Sequence, residues 1–287
     1  MDLTRRLIAI DLDGTMLSRD GQMSPAVLQA VREVADTGVD VVIATGRAIG
    51  STMQIVAHLG FEHGFVVCSN GAVTLALDPA EPEGYRILDI VTFDPGPALE
   101  MLRGSWPDAV AAVEEIGVGF KVSAPFPDGE LMGEVRVVPW AELSSTPATR
   151  VTFRSPTGTA EDFLELVERI GLHSVNYAVG FTAWLDINPE GVSKASALEM
   201  VRRWLGVEPA QTIAVGDQRN DLEMLHWAAR SIAMGNAPDE VKAIADEVTL
   251  DVDDDGLVPV LRSLVGLAPH PSAEGTSLAR RHQATEG

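Results

Sequence analysis

One cysteine, Cys68, stands in the 287-residue chain, which excludes an internal disulfide and any zinc site built on cysteine ligands. It reads as a buried core thiol. Basic residues are also scarce: 21 lysines and arginines face 42 acidic residues, a net charge of −21. The resulting field opposes adsorption to nucleic acid or to an anionic membrane, so neither is expected as a partner, and any anionic substrate needs a local cation. Long apolar runs are missing as well. Val39 to Ala44 is interrupted by Asp40, and nothing approaches the ~20 residues that span a bilayer. Between Met1-Asp2-Leu3-Thr4-Arg5-Arg6 and Asp11 lie only four apolar residues, too few for a signal-peptide core, and the expectation is a cytoplasmic location. There is no internal repeat. What remains, 46% apolar and 22% charged residues, is the composition of a water-soluble globular chain with one large domain or two ordinary ones.

Short apolar strands alternate with helical patterns through the first 75 residues: Leu7 to Ile10, Val39 to Ala44, then Phe65 to Cys68. This βαβ rhythm predicts a parallel sheet. Ser24 and Pro25 supply a cap and first turn, Val27, Leu28, Val31, Val34 and Ala35 form one apolar stripe, and Gly38 ends the helix. The rhythm returns after about residue 188. A helix carrying Ala197, Leu198, Val201, Trp204 and Leu205 on one face precedes a strand at Thr212 to Val215, and another strand follows at Ser231 to Met234. A helix starts at Asn236-Ala237-Pro238, and a last one covers Gly256 to Val265. Between these halves, residues 84–184 change texture, with alternating segments at Arg86 to Thr92, Glu134 to Val138 and Thr149 to Phe153. A single crossover needs only a few dozen residues, so ~100 extra ones fold apart as an inserted α+β domain. The expected organisation is a discontinuous core, 1–83 with 185–268, an insertion at 84–184, and a disordered polar tail at 269–287.

The chemistry sits where strands end. Asp11-Leu12-Asp13-Gly14-Thr15 follows the first strand; side chains alternate along extended chain, so Asp11 and Asp13 project the same way. Two like charges this close demand a cation or divide into acid and nucleophile. Thr45-Gly46-Arg47 follows the second strand and brings a hydroxyl and backbone N–H groups to the same carboxyl edge, where they can hold phosphoryl oxygens, although a Thr-Gly turn seen alone is more often structural. Lys194 opens an amphipathic helix, where dipole and ammonium both favour an anion. Gly216-Asp217-Gln218-Arg219-Asn220-Asp221 follows a later strand and offers oxygen ligands of the kind that suit Mg²⁺.

On these residues the chain resembles the haloacid dehalogenase-like hydrolase superfamily, in particular the Cof-type phosphatases with a large cap of the second type. Its four motifs stand in order as Asp11-Leu12-Asp13-Gly14-Thr15, Thr45, Lys194 and Gly216-Asp217-Gln218-Arg219-Asn220-Asp221. Further matches are Ala44-Thr45-Gly46-Arg47, Ser69-Asn70-Gly71-Ala72, the run Asp186 to Lys194, and Ala233-Met234-Gly235-Asn236-Ala237, while Ala195 replaces the glycine usual after the motif lysine. The resemblance implies an α/β fold, a Rossmann-like parallel-sheet core with an inserted α+β cap, and a Mg²⁺-dependent phosphatase. It implies Asp11 as nucleophile forming an aspartyl-phosphate and Asp13 as acid, then base. Metal ligands would come from Asp11, the Asp13 backbone carbonyl, Asp217 and Asp221, and phosphate contacts from Thr45, Gly46, Lys194 and Asn220.

Spacing decides the cap type. Asp11 and Thr45 are 34 positions apart, filled by a turn and one helix, whereas Thr45 and Lys194 are 149 apart. The insertion therefore lies in the second gap. A cap excludes bulk water and admits small molecules, so a phosphorylated sugar or similar metabolite is the expected substrate. His173, Lys121, Arg150 and Arg154 are within the insertion and could reach a substrate from it, although such residues are more often plain surface, and none is assigned to the site. A cysteine-dependent phosphatase would need arginine six positions after Cys68, where Thr74 stands. A dinucleotide fingerprint is not completed by Gly117-Val118-Gly119. Two alternatives stay open: a phosphotransferase or mutase using the same intermediate, and a non-catalytic sugar-phosphate-binding regulator. Oligomeric state is left open.

Overall fold

A computed structural model describes residues 5–127, 131, 133–155, 158, 159, 162, 165, 175–179 and 184–266. His173 and the tail at 269–287 lie outside the described residues. The chain packs as two compact units, 1–45 with 198–287, and 46–197. The strands are β1 (Leu7–Ile10), β2 (Asp40–Ala44), β3 (Gly64–Cys68), β4 (Val73–Leu77), β5 (Tyr85–Ile90), β6 (Val110–Glu115), β7 (Gly119–Val122), β8 (Glu134–Val137), β9 (Val151–Arg154), β10 (Val175–Val179), β11 (Trp184–Pro189), β12 (Thr212–Gly216), β13 (Arg230–Ala233) and β14 (Glu247–Val248). Parallel strands, helices and an additional α+β region together make a mixed α/β fold with a Rossmann-like core.

In the first unit β14, β13, β12, β1 and β2 lie side by side, every pairing parallel. All four residues of β1 are fully buried, which is why Leu7 to Ile10 reads as an unbroken apolar run rather than an alternation. The helix Pro25–Asp36 forms as its cap demands: the Ser24 hydroxyl accepts the Val27 N–H at 3.1 Å, and Val27, Ala30, Val31 and Val34 make the buried face. That helix packs against Leu257–Leu264. Ile10 is in register with Ile43 on one side and Val215 on the other. Parallel register delivers Asp11, Thr45 and Asp217 to the same edge of the sheet.

The second unit contains two antiparallel systems. β3, β4 and β5 form a meander, and β10, β11, β9, β6, β7 and β8 form a six-stranded sheet in which only β7 and β8 run parallel. The sequence assigns Arg86 to Thr92 to the insertion, yet Tyr85–Ile90 pairs with β4. A short turn explains the difference: Asp78 N–H donates to the Gly84 carbonyl at 3.0 Å, so the chain folds straight back on β4. One face of the six-stranded sheet buries Val113, Val151, Phe153 and Ile187 against Leu99, Leu102 and Leu143. Cys68 is fully buried, and burial pushes its thiol up to about 12, so it stays protonated near neutral pH and is the inert core group the sequence suggests. Among the described residues no helix is long and apolar enough to cross a membrane.

Candidate active site

Three carboxylates meet at the carboxyl edge of the parallel sheet. Asp11, Asp217 and Asp221 each bring an oxygen within 4.8 Å of the other two, and all three are buried. At such a separation each like-charged pair repels by about 3 kcal/mol at an effective dielectric of about 20. Burial sharpens the problem, because a charge withdrawn from water must be compensated nearby. Three hard oxygen donors converging this way fit a divalent cation such as Mg²⁺, which takes carboxylates and keeps several waters.

Local structure holds each ligand. Asp11 donates its N–H to the Val215 carbonyl at 3.1 Å, which extends the β1–β12 ladder by one step and fixes where its side chain leaves the sheet. Asp217 receives the Thr15 hydroxyl at 3.2 Å on Oδ1 and the Asn236 amide at 3.0 Å on Oδ2. Asp221 closes a reciprocal cap around the turn Arg219–Asp221: its Oδ2 accepts the N–H groups of Asp217 and Gln218, each at 3.0 Å. These bonds aim the carboxylates before any ion arrives. Gly14 is needed here. It has a φ of +83°, and a Cβ at that position would drive into the Asp217 carboxylate.

The other residues expected at the site are spread over both units. Asp13 is half-buried and contributes no carboxylate to the group of three; the ligand the motif assigns it is its main-chain carbonyl. Thr45 is fully buried directly after β2, and Asn220 is half-buried in the turn between Asp217 and Asp221. Gly46 and Lys194 belong to the second unit. Lys194 is fully buried at the first turn of the helix Lys194–Leu205. Ser193 caps that helix by exchange with Ser196: Ser193 N–H donates to Ser196 Oγ at 2.9 Å, and Ser196 N–H to Ser193 Oγ at 3.3 Å. A buried ammonium at the positive end of a helix calls for an anion.

The insertion's candidate cap contacts behave differently from a substrate-facing set. Arg150 and Lys121 are 6% and 7% exposed, buried rather than presented to solvent. Lys121 is engaged with Glu115 at 3.3 Å, and Arg150 with Glu114 at 3.3 Å and Asp186 at 3.7 Å. Arg154 is half-buried and donates to the Ser155 carbonyl.

A residue to which the motifs give no role also holds the site. Asn236 donates to Asp217 Oδ2 and, at 2.9 Å, to the Gly14 carbonyl, while its own carbonyl accepts the Val252 N–H at 3.0 Å. It thus ties one metal-ligand candidate to the loop that follows β1. Its place in Ala233-Met234-Gly235-Asn236-Ala237 is the one signal in the sequence, and only spatial proximity assigns it work.

The family model for haloacid dehalogenase-like hydrolases matches residues 8–87 and 139–261. Among curated proteins, the chain is 30% identical to the phosphatase YwpJ of Bacillus subtilis (strain 168), over 91% of this chain and all of that one. It is 28% identical to 5-amino-6-(5-phospho-D-ribitylamino)uracil phosphatase YcsE of the same organism, over 92% of this chain and 97% of that one. A solved haloacid dehalogenase-like hydrolase from B. subtilis superimposes with a TM-score of 0.76 at 26% identity, covering 92% of this chain and all of the other.

Proposed function

Because the chain belongs to the haloacid dehalogenase-like hydrolases, in their Cof-type branch, and is a phosphatase, we propose that it hydrolyses small phosphorylated metabolites, sugar phosphates or their like, in the cytoplasm. The observation that carries this reading is the trio of buried carboxylates at one sheet edge. Mg²⁺ is the proposed ion, held by Asp11, Asp217 and Asp221 with the Asp13 main-chain carbonyl. When bound it would neutralise phosphate oxygens and so let an anionic nucleophile approach an anionic ester.

In the proposed mechanism Thr45, Gly46, Asn220 and Lys194 hold the phosphoryl group. A carboxylate oxygen of Asp11 attacks phosphorus, the ester P–O bond breaks, and the departing alkoxide takes a proton from Asp13. Asp13, now a carboxylate, removes a proton from water. The hydroxide attacks phosphorus, and the Asp11–phosphate bond breaks to release inorganic phosphate and regenerate both carboxyl groups. Counting charges supports the assignment: three carboxylates against one divalent ion and the Lys194 ammonium balance before substrate enters. Residues 1–83 with 185–268 carry this chemistry in our reading, and residues 84–184 select the substrate. The relative named for a phosphoribityl compound supports a small metabolite as the ester.

A chromogenic phosphate monoester supplied with Mg²⁺ tests the proposal. Turnover should stop on addition of EDTA and return with excess Mg²⁺, with Ca²⁺ a poor replacement because its looser coordination misplaces the nucleophile. Full activity in EDTA would refute the role given to the carboxylates. Adding a sugar acceptor separates hydrolysis, which yields free phosphate, from transfer, which yields a newly phosphorylated acceptor. A screen of phosphorylated metabolites then narrows the substrate.

A further inference from the structure

The turn Gly46–Arg47 is gripped from behind by a buried polar relay. The Arg150 guanidinium donates through Nη1 to the Gly46 carbonyl at 2.5 Å, and the Ser69 N–H donates to the Arg47 carbonyl at 2.9 Å. Glu114 joins the two grips: its Oε1 accepts the Ser69 hydroxyl at 2.8 Å, and its Oε2 lies 3.3 Å from Arg150 Nε. Asn188 adds a third hold by donating to the Ser69 carbonyl at 3.1 Å. Glu114, Arg150, Ser69 and Asn188 are 4%, 6%, 0% and 3% exposed, so none is a surface ion pair of incidental geometry. Arg150 is oriented further by stacking 5.3 Å from the Phe120 ring centroid and by Asp186 at 3.7 Å.

Burying a guanidinium and a carboxylate is costly unless their geometry is fixed and further hydrogen bonds satisfy them, and apolar packing would serve stability as well. The relay has a definite end point. Two consecutive carbonyls, Gly46 and Arg47, are held at their oxygens by Arg150, one residue before β9, and by the Ser69 N–H just after β3, with Glu114 of β6 bridging the two holders. In a trans peptide the C=O and the following N–H point in opposite directions, so holding the Gly46 and Arg47 oxygens fixes the planes of both peptides and the turn around them. The same relay continues towards Lys194: Gly71, two residues after Ser69, has a φ of +102°, and its α-carbon packs so close to the Ser193 carbonyl that no side chain fits.

We propose that Arg150, supported by Glu114, is a positioning residue for phosphate binding: it sets the Gly46 peptide so that the turn after Thr45 meets the phosphoryl oxygens. This rests on the assignment of Thr45 and Gly46 to phosphate given above. Arg150 does not touch substrate; it acts through the turn.

The test compares wild type with Arg150→Met and Arg150→Lys, using the chromogenic ester, inorganic phosphate as competitive inhibitor, and Mn²⁺ binding followed by EPR. Arg150→Met should weaken inhibition by phosphate and lower kcat/KM by ~10–100-fold, the scale on which small misplacements of a binding group act. Mn²⁺ affinity should stay unchanged, which a general loosening of the protein would not allow. Arg150→Lys keeps a cation but cannot reach Gly46 and Glu114 with a rigid fork, so it should recover only part of the loss. Should Arg150→Met fail to fold, Arg150→Lys decides the matter, with a severalfold weaker phosphate inhibition expected. Phosphate inhibition unchanged in the folded variants, with normal inhibition of wild type, would overturn the role of Arg150 alone. Wild type that neither cleaves esters nor binds phosphate would overturn the functional reading and the inference with it.

Discussion

In the unit formed by residues 1–45 and 198–287, burial gathers charges of one sign: Asp11, Asp217 and Asp221 share a space 4.8 Å across. In the unit of residues 46–197, burial pairs opposite signs, Glu114 with Arg150 and Glu115 with Lys121, each at 3.3 Å. Both arrangements draw charged side chains wholly or, for Glu115, partly into the interior, but they ask different things of the protein. Opposite charges offset one another: Glu114 Oε2 and Arg150 Nε, 3.3 Å apart, form an ion pair without a hydrogen bond between them, while Ser69 and the Gly46 carbonyl take up Glu114 Oε1 and Arg150 Nη1. Like charges repel, and three buried carboxylates drawn to one point make a place suited to a divalent cation.

The largest effect that would break this contrast is expected at Asp11. Asp11→Asn should cut turnover by at least about 10⁴-fold if the side chain is the nucleophile. The same change should leave the metal-free protein as stable as wild type or more so, because it removes one of three repelling charges. Melting curves in EDTA check this. A lowered Tm for Asp11→Asn without metal would show that the trio is not under repulsion, and the contrast between the two units would collapse.

A smaller effect, at Asn236, sharpens the picture of how the like-charged group is held. Removing its amide leaves Asp217 Oδ2, the Gly14 carbonyl and the Val252 N–H without their shared partner. Asn236→Ala should raise the Mg²⁺ concentration needed for half-maximal activity by ~10–100-fold, the usual cost of losing a residue that orients a metal ligand. At saturating Mg²⁺ most of the turnover should return. A requirement for Mg²⁺ equal to that of wild type would mean that Thr15 and the backbone suffice to aim Asp217.

How much of this is legible in the residues depends on the range over which each signal acts. Ser24-Pro25 and the stripe from Val27 to Val34 specify the helix Pro25–Asp36 through local contacts, β1 announces itself as a short, wholly apolar run, and β12 as an apolar run, Ile213 to Val215, behind a buried Thr212. The meeting of Asp11, Asp217 and Asp221 is legible too, because parallel strands deliver the residues beyond their carboxyl ends to one edge. The insertion is harder. β6 and β7 escape a reading by apolar pattern because they carry buried polar residues, Glu114 and Lys121, beside apolar ones, and β4 starts only after the motif Ser69-Asn70-Gly71-Ala72 has ended. The pairing of Tyr85–Ile90 with β4 is not legible from Arg86 to Thr92, because alternation says that a strand exists, not which strand it pairs with. Arg150 reads only as a surface residue that could reach substrate, for a related reason: its contacts with Gly46 and Glu114, and theirs with Ser69, join residues distant in sequence that meet only after folding.

The smallest effect concerns an opposite-sign cluster that shares a unit with the carboxylate trio but lies outside it. Glu199 accepts from Arg202 at 2.8 Å, from Arg203 at 2.7 Å and from the Trp227 indole at 3.1 Å. The Arg202 hydrogen bonds hold its carboxyl down at about 2, with partial burial working against them and Trp227 and Arg203 assisting. A carboxyl depressed in the folded state contributes stability above its unfolded pKa of about 4.3, and that contribution fades as the pH falls towards 2. Wild type should therefore melt a little above Glu199→Gln at pH 7, by a margin kept small because the side chain is 31% exposed to screening solvent. The margin should close between about pH 4.5 and 2, where the wild-type carboxyl takes up its proton. A gap independent of pH would assign the contribution of Glu199 to its shape and packing, leaving the like-charged trio as the stronger case in this unit of charge itself governing stability.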